Sequence, residues 1–287
     1  MTDSSSTNTG RRFRRWSAVT RRRLICGTIV LGCLTAWIGK PLTRVIHQRY
    51  VVAQIQSLGG DVGYNYDFDD EKQTLNKKVV WLFFGDQTFA KIDSALLTSD
   101  RPMTDDDYAL LTSLPNIEHL YLQGHHITDD VMKYAAKLPH LETLGIVTTN
   151  VTPNGMAELS IATELDTLMF GMDDVSDDML DSIAKLTGVS SIGFKDTKLT
   201  TNGFERLTTF PHLRQLAVMD SSMTSGVPDL SIENRQHIER LFLFNVTITV
   251  DGKSERLNFD YDSAEPGEAT VGASAVSTNA VAFLNQR

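Results

Sequence analysis

Two stretches of the chain decide the fold: residues 141–152, LETLGIVTTNVT, and residues 165–176, LDTLMFGMDDVS. Both place apolar residues and one hydroxyl at the same positions, so the second stretch is a shifted copy of the first. The hydroxyl recurs every 24 residues without a gap, at Thr104, Thr128, Thr152, Ser176, Thr200 and Thr224. The apolar columns keep the same register for five periods, which indicates a repeat array rather than isolated helices.

The columns spell L-x-x-L-x-L-x-x-x-x-I-[TS], which is the leucine-rich repeat pattern. The L-x-L alternation predicts a short strand with both apolar residues pointing inward. The hydroxyl then begins a helix, with acids in the first turn after Thr104, Thr128 and Ser176. We therefore expect an α/β solenoid of about six repeats over residues 98–250, with a parallel sheet on its concave face and helices on its convex face.

The flanks predict caps for the open ends of the array. Residues 40–97 combine a juxtamembrane helix that Gly59-Gly60 ends, a strand over 61–67 and the apolar run 79–84. That run is expected to plug the core, and a partner groove is its alternative reading. Residues 251–287 are poor in large apolar residues, so they predict a flexible C-terminal tail in which 251–262 could form a capping hairpin.

Charge separates the N-terminus from the rest of the chain. Residues 1–49 hold ten Lys/Arg and one acid, while residues 50–287 hold 17 Lys/Arg and 35 Asp/Glu. The body therefore carries a net charge of −18 and should repel nucleic acid. Both cysteines, Cys26 and Cys33, lie near the N-terminus, which excludes a disulfide framework or a cysteine zinc site in the body.

Residues 1–23 predict a basic cytoplasmic tail, and residues 24–39 predict a transmembrane anchor. Sixteen uncharged residues in a helix span about 24 Å, which is short of the hydrocarbon core, although flanking Arg and Lys side chains can reach its edges. A signal that is cleaved, or lipidated at Cys33, is one alternative, and a buried soluble helix is another. With a retained anchor, the repeats lie outside the cytoplasm at the cell membrane.

The whole pattern resembles the membrane-anchored leucine-rich repeat proteins of planctomycete-type bacteria. Three features carry this resemblance: the short anchor, the helix-Gly-Gly-strand segment 52–62, and the run Trp81 to Gln87 followed by repeats of the form ITD-x-x-L. The resemblance implies an interaction protein. Similar repeats occur in substrate-recognition subunits of ubiquitin ligases, but the chain has no F-box segment.

No motif for catalysis or cofactor binding is present. The chain contains no G-x-S-x-G, no Walker loop and no H-E-x-x-H. His119, His125 and His126 lie near acids, but the equivalent turns of other repeats are simply polar, so a solvated turn is favoured over a metal site. We expect no catalytic residue, no cofactor, no metal and no small-molecule substrate.

The outward positions of the strands are unexpectedly apolar or small for a face in contact with solvent. Such a surface indicates a partner-binding site, with its partner an unknown protein. The candidate residues are Tyr121, Gln123, Val147, Met169, Lys195, Met219, Arg240, Phe242 and Phe244. The alternative reading is that the tail covers Phe242 and Phe244 and that the glycines of this face are neutral.

The sequence thus predicts a non-catalytic protein-binding module displayed at the membrane. A structural envelope protein that associates laterally with its own kind is the first alternative. A substrate-recognition subunit of the ubiquitin-ligase type is the second.

Overall fold

The computed structural model describes residues 28, 46–65, 91–98, 101–172, 174–224, 237–250 and 253–262. Two compact units divide the chain, Met1–His47 and Gln48–Arg287. Of the first unit only Thr28, Ile46 and His47 are described, and all three are helical. The second unit is an α/β structure with an eleven-stranded, mostly parallel sheet among the residues described.

The second unit begins with helix α1, which covers residues 48–57 of this unit. Val51, Val52, Ile55 and Leu58 are buried. The helix is followed by Gly59 at φ +91°, a left-handed conformation that glycine adopts without strain. Strand β1, Asp61–Asn65, then pairs antiparallel with β2, Lys91–Thr98.

A run of parallel strands continues from β2. Five strands follow it in this run: β3 His119–Gln123, β4 Thr143–Val147, β5 Thr167–Gly171, β6 Ser191–Lys195 and β8 Gln215–Met219. Each step from β3 to β8 pairs equivalent residues of successive repeats, as Leu144 with Leu168 and Leu168 with Ile192. The sequence period is therefore the register of the sheet.

Strand β10, Arg240–Val250, is the last parallel strand and is twice as long as its neighbours. Its first half pairs with β8, and its second half pairs with the short strand β9, Ser222–Thr224. Strand β9 pairs in turn with β7, Lys198–Thr200. The sheet thus widens toward its C-terminal end.

The segment after β10 is a strand rather than a tail. Residues Lys253–Asp262 form β11, which pairs antiparallel with β10 and buries Leu257 and Phe259. The flexible tail predicted from residue 251 onward is therefore wrong for 253–262. The hairpin at this end is formed by β11 with β10, and not within 251–262 as the alternative had it. The reason is that the last parallel strand would otherwise leave an unpaired edge of backbone groups.

Helices connect the parallel strands. They are α2 Asp105–Thr112, α3 Asp130–Ala135, α4 Pro153–Glu158 with a 3-10 turn over Leu159–Ile161, α5 Asp177–Ile183 and α6 Thr201–Thr208. Hydroxyls of the predicted column cap four of them through bonds to backbone N–H groups: Thr104, Thr152, Ser176 and Thr200. The capping hydroxyls thus fix where these helices start.

Thr128 does not cap α3, which corrects the prediction for that repeat. The N-cap of α3 is Asp129, and its side chain makes no capping bond. Thr128 instead lies near the phenol of Tyr108 in the preceding helix. Burial raises the pKa of Tyr108, and the neighbouring Thr128 acts in the opposite direction.

Asp129 serves the next repeat. Its carboxylate accepts bonds from the backbone N–H of Thr152 at 2.7 Å and from the Thr152 hydroxyl at 2.6 Å. Gly155 makes room for it, because a Cβ there would lie 2.3 Å from Asp129 Oδ1. Two repeats further on, Asp177 accepts a bond of 2.9 Å from the Thr200 hydroxyl, and a Cβ on Gly203 would lie 2.9 Å from Asp177 Oδ1. A bond between an acid at the start of one helix and the capping hydroxyl of the next helix thus recurs two repeats apart.

The core is formed by the inward columns of the strands together with the buried sides of the helices. Leu120, Leu144 and Leu168 are each 0% exposed. Phe170 and Phe194 stack in neighbouring strands with their ring centroids 5.4 Å apart. Each such side chain contributes about 2 kcal/mol by leaving water, so the stacked columns hold the array together.

The residue that follows each strand of the parallel run adopts a left-handed conformation, except after β2, where that residue is not described. Gly124 follows β3 in this way, and in β10 the equivalent position is Asn245, near the middle of the strand. Five of them carry side chains: Thr148, Met172, Asp196, Asp220 and Asn245, with φ between 49° and 58°. The conformation turns the backbone N–H onto the last carbonyl of the next strand, as from Thr148 to Gly171 at 3.0 Å. Thr148 is the most strained, because a β-branched side chain crowds this backbone.

The predicted anchor 24–39 lies outside the described residues apart from Thr28. The basic tail 1–23, the apolar run 79–84 and residues 263–287 lie outside them as well. Where the chain is described, no helix is both long enough and apolar enough to cross a membrane.

Thr148→Asn is expected to stabilise the protein by about 1 kcal/mol, because asparagine tolerates φ 50° far better than threonine. For a unit of this size that is a rise in Tm of about 3 °C, which thermal unfolding followed by circular dichroism would measure. Thr143→Asn is the control, since Thr143 lies in the extended backbone of β4. A gain of equal size at Thr143 would contradict the strain argument.

Asp107→Asn is expected to make stability less dependent on pH. Arg101 donates two hydrogen bonds of 3.0 Å to the Asp107 carboxylate, and the Thr104 backbone N–H donates a third at 2.8 Å. These bonds, with Arg101 first among them, lower the pKa of Asp107 in the folded state. A lowered carboxyl pKa stabilises the fold above the unfolded value and loses this effect as the pH falls through the folded value.

The variant should therefore lose about 1 kcal/mol at neutral pH, the usual effect of a capping box, and the gap to wild type should close below about pH 3. Urea unfolding at both pH values measures it. Asp106→Asn is the control, because Asp106 is exposed in the same helical turn and makes no bond to another described residue. A gap that persists unchanged into acid would refute the assignment.

Candidate functional site

The outward positions of the parallel strands form one continuous surface, which we call the outer face. It comprises three columns that alternate with the buried ones, running from Ser94, Leu96 and Thr98 of β2 to Arg240, Phe242 and Phe244 of β10. The strand register joins the middle column as Tyr121, Gly145, Met169, Gly193, Ala217 and Phe242. It joins the trailing column as Gln123, Val147, Gly171, Lys195, Met219 and Phe244 in the same way.

All nine predicted residues lie on the outer face, in the columns that the alternation of the strands assigns to them. Tyr121, Met169 and Phe244 are 37%, 41% and 51% exposed. Gln123, Lys195 and Arg240 are also exposed. Val147 and Met219 are half-buried. The outer face therefore offers large apolar side chains to solvent at both ends and in its middle.

The ring of Tyr121 lies against Gly145 in the neighbouring strand. A Cβ on Gly145 would come within 2.4 Å of Tyr121 Cδ1, and Gly145 is buried beneath the ring. A neutral reading of this glycine is therefore wrong, because the ring needs the space that a missing side chain leaves. It also follows that no partner reaches the Gly145 backbone while Tyr121 stays in place.

Gly193 occupies the same column two strands further on, and it has open space above it. A Cβ there would meet one neighbouring atom, Met169 Cγ at 4.0 Å, and no ring covers it. Ala217, which pairs with Gly193 in the next strand, also has a small side chain and extends this open space. Met169 stands on one side of it and Phe242 on the other. The outer face thus has an open depression across β6 and β8, bounded by apolar side chains.

The aromatic pair at the C-terminal end of the outer face is ordered by stacking. Phe242 and Phe244 lie on the same side of β10, with ring centroids 6.1 Å apart and planes at 4°. Strand β11 runs beside them and places Asp260 opposite Phe242. The two rings therefore lie side by side at this end of the outer face, with an acid on the next strand.

Charge on the outer face is sparse and of one sign. None of its three columns carries Asp or Glu from β2 to residue 244 of β10, although acids outnumber bases by 35 to 17 in the body. Lys195 and Arg240 supply the positive charge. Carboxylates lie instead just before the strands, at Glu118, Glu142 and Asp166.

These flanking acids are partly neutralised within the chain. Lys91 pairs with Glu118 and lowers the pKa of that carboxyl below its usual value. Asp166 accepts a hydrogen bond from Ser190 in the next repeat. A similar ion pair joins Arg214 to Glu239. The flank therefore links neighbouring repeats through its charged and polar side chains.

The histidines of the second repeat do not converge. His125 and His126 are exposed in the turn after β3, while His119 is half-buried at the start of that strand. Asn150 of the next repeat donates its side-chain amide to the carbonyl of His125. Throughout the described part of the chain, no group of three His, Cys, Asp or Glu residues is placed to hold a metal ion.

One pocket beside β6 is too small for a cofactor. It is lined by residues such as Ile183, Val189 and Phe210, and it holds about 10 Å³, room for about one water molecule. The outer face, with Tyr121, Met169 and Phe244 exposed, has the composition of a binding surface.

No protein-family model matches the chain, and no curated protein is significantly similar to it.

Gly145→Ala and Gly193→Ala make a matched pair, because the same methyl group is added to the same column. At Gly145 the methyl group displaces the Tyr121 ring, and the free energy of unfolding is expected to fall by about 1–2 kcal/mol. At Gly193 it enters open space, and alanine should be neutral or gain about 0.5 kcal/mol from its lower chain entropy. Urea unfolding of both variants measures the difference, and equal effects would disprove the distinction between the two glycines.

Proposed function

We propose that this chain is a leucine-rich repeat solenoid that binds another protein on its outer face, the concave side of the solenoid. In this proposal it is a non-catalytic module, held at the cell membrane through residues 24–39 with its repeats outside the cytoplasm. The single observation that carries the proposal is the exposure of Tyr121, Met169 and Phe244 on a face whose columns are free of Asp and Glu.

Three physical considerations support a protein partner. Exposed apolar patches on a soluble surface mark interaction sites more often than chance, and aromatic side chains are enriched at the centre of protein interfaces. Phe242 and Phe244 stack on each other and present a continuous aromatic surface to a partner. The outer face is also shallow, which suits a protein surface better than a small molecule.

The test is crosslinking and pull-down from native membranes with Tyr121→Asp and Phe242→Asp. Each change places a charge within the apolar surface, so capture of the specific partner is expected to fall at least tenfold. Ile161→Asp is the matched control, because Ile161 is 63% exposed but lies in the 3-10 turn after α4, away from the outer face.

Thermal unfolding of each variant shows whether it is folded. Capture that survives both substitutions, or that Ile161→Asp reduces equally, would overturn the proposal. Crosslinks between copies of the chain alone would favour a self-associating envelope protein instead.

A further inference from the structure

Strand β11 forms one edge of the sheet. It is ten residues long, and among the described strands it pairs with β10 alone. The register shift in this pair places Phe244 and Asn245 of β10 opposite the single residue Asn258, so β11 itself continues without a bulge. It also contains no proline. A long, regular edge strand of this kind is a template for pairing with a strand of another chain. At the other end of the sheet, β1 is half as long, and its pairing with β2 shifts in register.

The backbone bonds of β10 show which residues of β11 face this edge. The N–H of Arg240 donates to the Arg214 carbonyl at 3.0 Å, so the backbone groups of Arg240 face β8. Because these groups alternate in direction along a strand, those of Leu243 face β11. Leu243 pairs with Phe259. The backbone groups of Phe259 are therefore engaged with β10, and those of Asp260 point away from it.

The same alternation holds beyond the bulge of β10. The N–H of Thr247 donates to the Ser221 carbonyl at 2.8 Å, so Thr247 faces β9 and Val246 faces β11. Val246 pairs with Leu257, whose backbone groups are therefore engaged as well. It follows that the even-numbered residues from 254 to 262 present their backbone N–H and C=O groups to the edge.

Two charged side chains of opposite sign lie at outward positions of β11. Arg256 is opposite Thr247 of β10, and Asp260 is opposite Phe242, so β10 offers neither a charged partner. Both side chains are exposed, and neither forms an ion pair within the described part of the chain. Four steps along the strand separate them by about 13 Å, which prevents them from pairing with each other.

The outward side of β10 and β11 carries no net charge. Asp262 lies opposite Arg240, and Arg256 and Asp260 are the remaining charged residues at outward positions of these two strands. A second surface of the same composition can therefore approach without net local repulsion. The net charge of −18 on the body opposes association only weakly here, since charges separated by more than about 8 Å are screened at physiological salt.

We propose that two copies of this chain pair along β11, antiparallel about a two-fold axis at Asn258. Each Arg256 then lies opposite the Asp260 of the other copy, so the interface contains this ion pair twice. About ten backbone hydrogen bonds between the even-numbered residues join the two strands. An axis of this kind is perpendicular to the sheet, so the two outer faces lie on the same side of one continuous sheet.

The charges select this register among those that the backbone allows. The hydrogen-bonding residues must meet hydrogen-bonding residues, which places the axis on a residue of β11. An axis at Leu257 would place Arg256 opposite Asn258, without a charged partner. An axis at Phe259 would place Asp260 opposite Asn258, also without one. The axis at Asn258 gives each of the two charges a partner of opposite sign.

The experiment measures the mass of the full-length chain in detergent by gel filtration with light scattering. The wild type is expected to be a dimer. Arg256→Glu and Asp260→Lys each place like charges opposite each other twice, so each variant alone should dimerise at least tenfold more weakly. An equimolar mixture of the two variants should recover the dimer, because opposite charges then meet at both positions. Asp106→Lys is the control, since Asp106 is exposed in α2, and it should leave the dimer unchanged.

Disulfide crosslinking tests the register directly, in a chain that carries Cys26→Ser and Cys33→Ser. Asn258→Cys places two thiols at the axis with Cα atoms about 5.5 Å apart, so mild oxidation should give a covalent dimer. Ser254→Cys is the matched control, because the two copies of residue 254 would lie about 27 Å apart. A monomeric wild type, a dimer that both charge variants keep, a mixture that stays monomeric, or equal crosslinking at 254 and 258 would overturn the inference. The unfolding temperature of each variant shows whether it is folded.

The dimer does not depend on the function proposed for the outer face, and the two can fail separately. If Tyr121→Asp loses the captured protein while Arg256→Glu stays dimeric, the dimer is overturned and the proposed function stands. If Arg256→Glu becomes monomeric while capture survives the substitutions on the outer face, the dimer is supported and the proposed function fails.

Discussion

The fold depends on one constraint: each repeat must offer its strand to the next at the same register. Backbone hydrogen bonds join equivalent residues of successive repeats from β3 to β8, and the register places an apolar side chain on an apolar side chain at every inward position. A shift of one residue would turn every apolar column to solvent, so burial of the columns and backbone pairing enforce the same alignment. The backbone conformation of individual residues adapts to this alignment.

The left-handed residues after the strands show how strongly this constraint acts. Glycine would be the natural residue at φ near 50°, yet the chain has it at one position of the column, Gly124, and threonine at another, Thr148. The strain is tolerated because the same conformation delivers a backbone N–H to the next strand, with N···O distances of 2.9–3.1 Å along the column. Register is thus maintained at a local cost of about 1–2 kcal/mol for each such residue.

The sequence predicted the strands and most helix starts because their signals are local and repeated. It missed β2 as a member of the parallel run for two reasons. Ala95 and Leu97 precede their partners in β3, Leu120 and Leu122, by one residue more than the repeat length. In addition, Ala95 is a small residue in a column that otherwise holds large apolar ones. It could not foresee that Asp129 rather than Thr128 would be the N-cap of α3, or that the Asp129 carboxylate would bond to Thr152 of the next repeat. The candidate residues were predictable because alternation in a strand assigns every side chain to one face.

Shape on the outer face was not predictable, and that is where repeats differ most. Gly145 and Gly193 are identical in sequence terms, but one is covered and the other is open. What decides between them is the preceding residue in the column: Tyr121 folds over its neighbour, whereas Met169 leaves its neighbour exposed. Because the inward columns are fixed by packing, the outward columns are free to vary, and a repeat array can form a specific surface from them without disturbing its register. The combination of one filled and one open glycine position, with Lys195 and Arg240 beside the open one, is a consequence of that freedom.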